Sequence, residues 1–483
     1  MEFVNAQPQP EETVMDYSML GGAHAQRGRK LFLTGLALLT AALLYLAYKS
    51  NVSDTSHLFL GLIMFALAAV PSLLWARSGG SRFPVFETIL ILTANAYAMP
   101  VLNEREQLAN YSPDVITRAS LTVILYQLSA IITYLSVRGL PGRSRFWRES
   151  LITSQTEKMI VYGLFTSTLY IWISTFTTWV PRELESILRA IFYGVGILCT
   201  FVSTQRWGRG ELTQTEKTVL LCTLGPQLIF MSVGLILIGA ISLIGIAFLG
   251  FLSGGKRIPW LVMGATFAIF AVLHTGKTQM RLKYWDQQLP TPTMSQLPAY
   301  FSEWVEYGLV PTSGGKTASQ KMLERTSLMH ILCLIVDFTP ARQDYLYGQT
   351  YAHVLPQLIP RLFWPEKPRS HIATYELSIY YGLQDEEATN TTTIAFGLVT
   401  EAYANFGMAG ALILGAFWGF WLKKLQIWST FSPMFSFAGL LMVLLTAWAF
   451  SAELTMAAWV SSLQQAIVVV LGVPLIIRSL FGL

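Results

Sequence analysis

The sequence predicts an all-α integral membrane protein of about twelve spanning helices, with one large outer loop. Three observations carry this. Hydrophobic residues make up 53% of the 483 positions and charged residues only 13%, which cannot clothe a soluble surface of that size. The apolar runs are close to the length a helix needs to cross hydrocarbon, where backbone groups find no partner outside their own segment, so a strand barrel is excluded. Finally, all connections are short except residues 276 to 405. The net charge of +5 is too small to argue for nucleic acid and reads as basic loops orienting the chain in a bilayer.

Taken in order, Met1 to Arg29 is polar and reads as a disordered cytoplasmic tail (1–30), not a cleaved signal, because the run from Leu31 to Tyr48 is long enough to remain as an anchor. Residues 31–275 hold nine spans. The first six fall near 31–48, 57–76, 84–102, 119–137, 159–179 and 187–204. Thr218 to Gly250 is too long for one helix and is read as two, hinged near Ser232 to Gly234; the ninth covers 258–275. Three more spans lie in 406–483. Arg138, Arg143, Arg145, Arg148, Lys158, Lys256, Arg257, Lys423 and Lys424 then share the cytoplasmic side with both termini, which fits the excess of basic residues in cytoplasmic loops.

By parity, the loop 276–405 lies on the outer face, and a loop that long in a compact chain is usually functional. Two apolar stretches inside it, Leu328 to Val336 and Ile394 to Val399, are too short to span and are expected to dip into the bundle or pack on its rim. The three cysteines, Cys199, Cys222 and Cys333, lie in apolar stretches and suggest neither a disulfide framework nor a metal site. No phosphate-loop, zinc-protease or nucleophile-elbow motif occurs, and the histidines lack metal-ligand spacing; no cofactor is expected.

The densest chemistry is the run Thr339 to Thr374, which gathers Arg342, His353, Arg361, Trp364, Lys367, Arg369 and His371 among prolines that forbid a long helix. Guanidinium groups bind phosphate oxygens bidentately, so this segment suits a phosphate-bearing lipid or a sugar chain. An interfacial aromatic belt with anchoring cations is the plainer alternative. A second cationic element, Lys277 and Arg281 with Lys283, lies at the outer end of the ninth span; one helical turn apart, the first two would share a face. The candidate bases are Asp344, His353, His371, Glu376 and Glu401, with Glu401 set in a Thr-Glu-Ala-Tyr-Ala-Asn-Phe-Gly string at the membrane boundary, where a carboxylate is costly unless paired or used.

The order of Gly276-Lys277, Arg281, Tyr284-Trp285, Arg325-Thr326-Ser327, Thr339-Pro340, Ile359 to Pro368 and Thr400 to Gly407 resembles oligosaccharide repeat-unit polymerases of the Wzy type. The resemblance covers about residues 276 to 422, the Pro-Arg-Leu-Phe-Trp-Pro-Glu-Lys-Pro string being its most specific element. It implies a GT-C-like helical bundle and a metal-independent glycosyltransferase of the bacterial inner membrane. Such an enzyme joins undecaprenyl-diphosphate-linked oligosaccharides into O-antigen, capsule or exopolysaccharide. Donor and acceptor are both lipid-linked, and a flippase and a chain-length regulator of the same pathway are the implied protein partners. On this reading Glu401 and His353 are catalytic, and Lys277, Arg281, Arg325, Arg342, Arg361, Trp364, Lys367, Arg369 and His371 bind substrate. The related ligase, a transporter of lipid-linked oligosaccharides and a non-enzymatic assembly partner are the alternatives. A transporter should show internal repeats and mid-span ionisable residues, which are scarce here.

Overall fold

The computed structural model describes residues 21–50, 52–79, 83–103, 108–142, 145–149, 154–255, 259–287, 289–309, 328–359, 363–391, 393–430, 432–433, 436–449 and 453–472. Among them there are helices and no strands. The main helices are α1 (Gly21–Lys49), α2 (Thr55–Arg77), α3 (Val85–Leu102), α4 (Pro113–Ser136), α5 (Ser154–Phe176), α6 (Arg182–Arg209), α7 (Gln214–Val233), α8 (Ile238–Ser253) and α9 (Trp260–Arg281). The loop contributes α10 (Leu297–Leu309), α11 (Met329–Phe338) and α12 (Ile372–Tyr380), followed by α13 (Gly397–Ser429), α14 (Phe437–Ala449) and α15 (Met456–Ile467). Eight of these are long and apolar enough to cross a membrane: α1 to α6, α9 and α13. The protein is therefore an α-helical, multi-pass membrane protein.

Several boundaries move. Helix α1 begins at Gly21, inside the expected tail, and residues 1–20 lie outside the described residues. The 218–250 stretch is two helices, separated by Gly234 to Leu237 with Leu235 at φ 57°. Helix α9 runs past residue 275 into a π-turn ending at Asp286. Helix α13 starts at Gly397, so the Glu401 string is helical rather than loop, because its face toward the bundle is apolar or small and buries completely at Ala402, Ala404 and Asn405.

Glycines set the closest crossings. A Cβ at Gly415 or Gly419 of α13 would stand 2.2 Å from the Tyr126 carbonyl oxygen or 2.3 Å from that of Ala130, so α13 and α4 touch backbone to backbone and run parallel. Small residues one turn apart permit that approach. Gly250 and Gly254 of α8 lie in the same way on Phe201 to Gly208 of α6. By contrast α1 packs on α2 and leaves Leu33, Leu38 and Leu44 exposed, a helix on the lipid-facing rim.

The basic residues assemble at one end. Lys424 Nζ donates to the Arg138 carbonyl at 3.4 Å, Trp147 Nε1 to that of Trp428 at 3.1 Å, and Arg148 to that of Thr430 at 3.4 Å. The long loop gathers at the other. There α11 sinks its apolar face into the bundle, with Leu332, Cys333 and Ile335 fully buried, and Leu328 N–H donates to the Ala96 carbonyl at 3.0 Å where a π-turn opens α3. Phe396 and Val399 bury beside it. Both apolar stretches of the loop thus pack into the bundle as their length required.

Candidate functional site

The site grows from a break in α13. Phe406 (φ −143°) and Gly407 (φ 61°) interrupt the helix, and a Cβ on Gly407 would stand 2.9 Å from the Tyr345 hydroxyl, so both conformation and space demand glycine there. The break frees the carbonyls of Ala404 and Asn405, which accept from Leu346 N–H at 3.0 Å and Tyr347 N–H at 3.2 Å. Fully buried Asn405 completes the clasp. Its Oδ1 accepts from Gly348 N–H at 2.9 Å, while its Nδ2 donates to Thr350 Oγ1 and to the Glu401 carbonyl, each at 2.8 Å. The clasped turn carries Tyr347 at φ 46° and Gly348 at φ 96°, and a positive φ at a bulky residue stores strain that the surroundings must hold.

Immediately beyond, a 3₁₀ turn (Thr350–His353) brings His353 Nε2 to 2.7 Å from Glu376 Oε1 on α12. Both side chains are only partly buried, at 20% and 31% exposure. With an ionised Glu376 accepting from Nε2–H, His353 Nδ1 is left as a proton acceptor, which is how a carboxylate fixes the tautomer of a general base. His371, at the start of the same helix, is held below the usual histidine pKa by burial. Tyr351 and Tyr381 surround the pair, and burial raises both phenols, Tyr381 to about 12, so they act there only as neutral donors or acceptors.

Glu401 has a different setting. It is fully buried, and its Oε2 accepts from Met456 N–H at 2.6 Å, at the first turn of α15. A carboxylate there complements the positive end of the helix dipole. Thr455, the residue before, pairs with Thr374 at 3.2 Å, so Glu401 and Thr374 together fasten α15 to the loop.

The expected cations fall into three groups. On α9, helical geometry does place Lys277 and Arg281 one turn apart, but Arg281 Nη2 donates to the Leu235 carbonyl at 2.9 Å and its guanidinium lies 4.0 Å from the Trp285 ring. Lys277 is half-buried beside Gly276, where a Cβ would meet the Trp304 carbonyl at 2.5 Å, so the Gly-Lys pair marks the crossing of α9 with α10. In the second group, Lys367 is buried with Nζ 2.7 Å from the Ile359 carbonyl, and Arg342 pairs with Asp337 at 3.4 Å over the Phe338 ring. In the third, Arg369 is exposed and, among the described residues, its side chain meets no acceptor; Trp364 is exposed beside it. Arg325 and Arg361 lie outside the described residues.

Sequence reasoning weighed Glu376 only as one base among several, and gave no role to Asn405. The signal for Asn405 was present: an asparagine and a glycine flanking Phe406 in an otherwise apolar helix. No curated protein and no solved structure matches this chain. Residues 234–429, which hold the α9–α10 hairpin, the clasp and the His353–Glu376 pair, match the model of a family described as a domain of unknown function (DUF8712).

Proposed function

We propose that the protein is a repeat-unit polymerase: a metal-independent glycosyltransferase joining undecaprenyl-diphosphate-linked oligosaccharides at the outer face of a bacterial inner membrane. The observation that carries this reading is the His353–Glu376 pair, half open and set at the loop end by the Asn405 clasp. In the reaction, the acceptor hydroxyl attacks the donor's anomeric carbon and the bond from that carbon to the diphosphate oxygen breaks. The hydroxyl proton passes to His353 Nδ1, Glu376 steadies the imidazolium, and the lipid diphosphate leaves with the bonding electrons. Arg369, exposed near the pair in sequence, and Arg361 are the cations that meet the charge developing on that leaving group.

Glu401 is reassigned from base to the anchor of α15, because its carboxylate is already committed to a backbone N–H. The same proposal takes the topology as twelve crossings, adding α7, α8, α14 and α15 to the eight, with both termini and the basic end in the cytoplasm.

The test uses the purified chain in lipid with a lipid-linked repeat unit, product length being read on a gel. His353→Ala should cost about 10²–10⁴-fold in elongation while insertion stays normal. A full ladder from His353→Ala at the unmodified rate overturns the assignment. Activity abolished by a chelator and restored by a divalent ion overturns metal independence.

A further inference from the structure

The loop end carries bare apolar side chains in one place. Leu355, Leu358 and Phe363 are 72%, 53% and 77% exposed, with Ile359 at 41% and Trp364 at 39%. The backbone bearing them is closed on itself. Leu358 N–H donates to the Leu355 carbonyl at 3.1 Å and Ile359 N–H to that of Pro356 at 3.2 Å. Lys367, although buried, reaches the carbonyls of Ile359 at 2.7 Å and Gln357 at 3.4 Å, and the Gln357 amide donates to the Pro368 carbonyl at 3.4 Å. Pro356, Pro365 and Pro368 have no N–H to satisfy.

In water a turn needs no such closure, because solvent takes its carbonyls; in hydrocarbon every polar backbone group must be met from within. A buried ammonium spent on two backbone carbonyls, beneath leucine and phenylalanine side chains turned outward, fits the second environment. Position agrees with it: the turn Val354–Gln357 packs on α15, whose first residue is tied to Glu401 at the loop end. Exposed Glu366 and Arg369 follow as a polar flank of the kind found at a membrane interface.

We propose that Leu355, Leu358, Ile359, Phe363 and Trp364 dip into the acyl layer of the leaflet at the loop end, as a membrane-inserted turn that does not cross, with Lys367 as its internal plug. The occupant of this surface is bilayer lipid, since the patch adjoins a helix that enters the bilayer beside it. The inference is independent of the polymerase reading and stands if that reading fails.

It is tested on the full chain with Cys199, Cys222 and Cys333 changed to Ser, and Leu358→Cys, Phe363→Cys or Glu387→Cys added singly. Each is spin-labelled in liposomes of phosphatidylethanolamine and phosphatidylglycerol and exposed to oxygen or to a water-soluble nickel chelate. Labels at 358 and 363 should collide with oxygen and be shielded from nickel, while the label at exposed 387 shows the reverse order. Nickel access at 358 and 363 equal to that at 387 overturns the proposal. So does shielding from both reagents, which would put a second copy of the chain over the patch. Irradiating the unmodified protein with a lipid-partitioned carbene precursor makes the test independent of the cysteine replacements. Label on Leu355 to Ile359 is expected; label on α1 with none on that turn overturns the proposal.

Discussion

The α9–α10 hairpin and the clasped segment at Tyr345 to Glu376 both drew notice for cations beside aromatic residues, and they use them in opposite ways. In the hairpin each notable residue is consumed by packing. Gly276 and Gly308 let two backbones cross, Tyr300 and Trp304 donate to the carbonyls of Val233 and Leu273 at 2.9 and 2.7 Å, Arg281 holds Leu235, and Lys283 pairs with Glu303 at 2.5 Å. In the clasped segment the buried polar groups are spent on holding a strained turn, and what that turn presents is a histidine and a carboxylate still open on one side. A cationic spacing therefore says little about function until the partners of each charge are known.

The contrast can be broken most sharply by activity. His353→Ala should lose about 10²–10⁴-fold in polymer elongation. Arg281→Ala should lose less than about tenfold, the factor that goes with roughly 1.4 kcal/mol of misplaced support. Equal losses in a gel-based elongation assay would erase the distinction between the two regions.

A second break is structural. Gly308→Leu sets a side chain against the Val272 carbonyl, 2.3 Å from where its Cβ must go, and should destabilise the hairpin by about 1–3 kcal/mol or more. Limited proteolysis between α9 and α10 should then quicken, with cleavage near the clasp unchanged. Asn405→Ala should do the converse. It strands the Gly348 N–H and Thr350, costs about 1–3 kcal/mol, and lowers the melting temperature in detergent while cutting elongation through a displaced His353. An Asn405→Ala protein that melts and elongates normally would remove the clasp from the account.

Arg281→Lys is the finer probe: it keeps the charge and forfeits the flat stack on Trp285, about 0.5–1 kcal/mol. The smallest effect is that of pH. His371 is kept neutral by burial, with its folded pKa below the model value of 6.5, so the unfolded chain takes a proton that the folded chain refuses. Stability should hold above that value and decline as pH falls through it toward the lower folded pKa. Melting curves between about pH 8 and about pH 5 should show the decline, and His371→Asn should flatten it.

Most of the fold was legible because hydrocarbon imposes length and composition on whatever crosses it. Leu328 to Val336 and Ile394 to Val399 could even be placed against the bundle from their length alone. The clustering of Arg138 with Lys424 was legible from the alternation of basic loops. The site was less so. His353 and Glu376 are apart in sequence and meet only because the break at Phe406–Gly407 releases two carbonyls for Leu346 and Tyr347 to use. Lys367 was read as a ligand for phosphate, since nothing in a Pro-Glu-Lys-Pro string says that the ammonium folds back onto its own backbone.

The parallel contact of α4 with α13 bears on how the chain is made. Two helices that point the same way cannot be joined by a tight turn, and these stand on opposite sides of the long loop in the sequence. Helix α4 therefore emerges with the Tyr126 to Thr133 surface that will receive Gly415 and Gly419 still uncovered. At roughly 5–20 residues per second of synthesis it must wait some tens of seconds for its mate. During that interval its Gln127 amide is already secured by the Met64 carbonyl at 3.1 Å and Thr93 at 2.7 Å, both on helices made earlier. The N-terminal helices can thus be stored in the bilayer as a half-finished assembly, and α13, arriving last with the clasp attached, completes the scaffold and the site in one docking event.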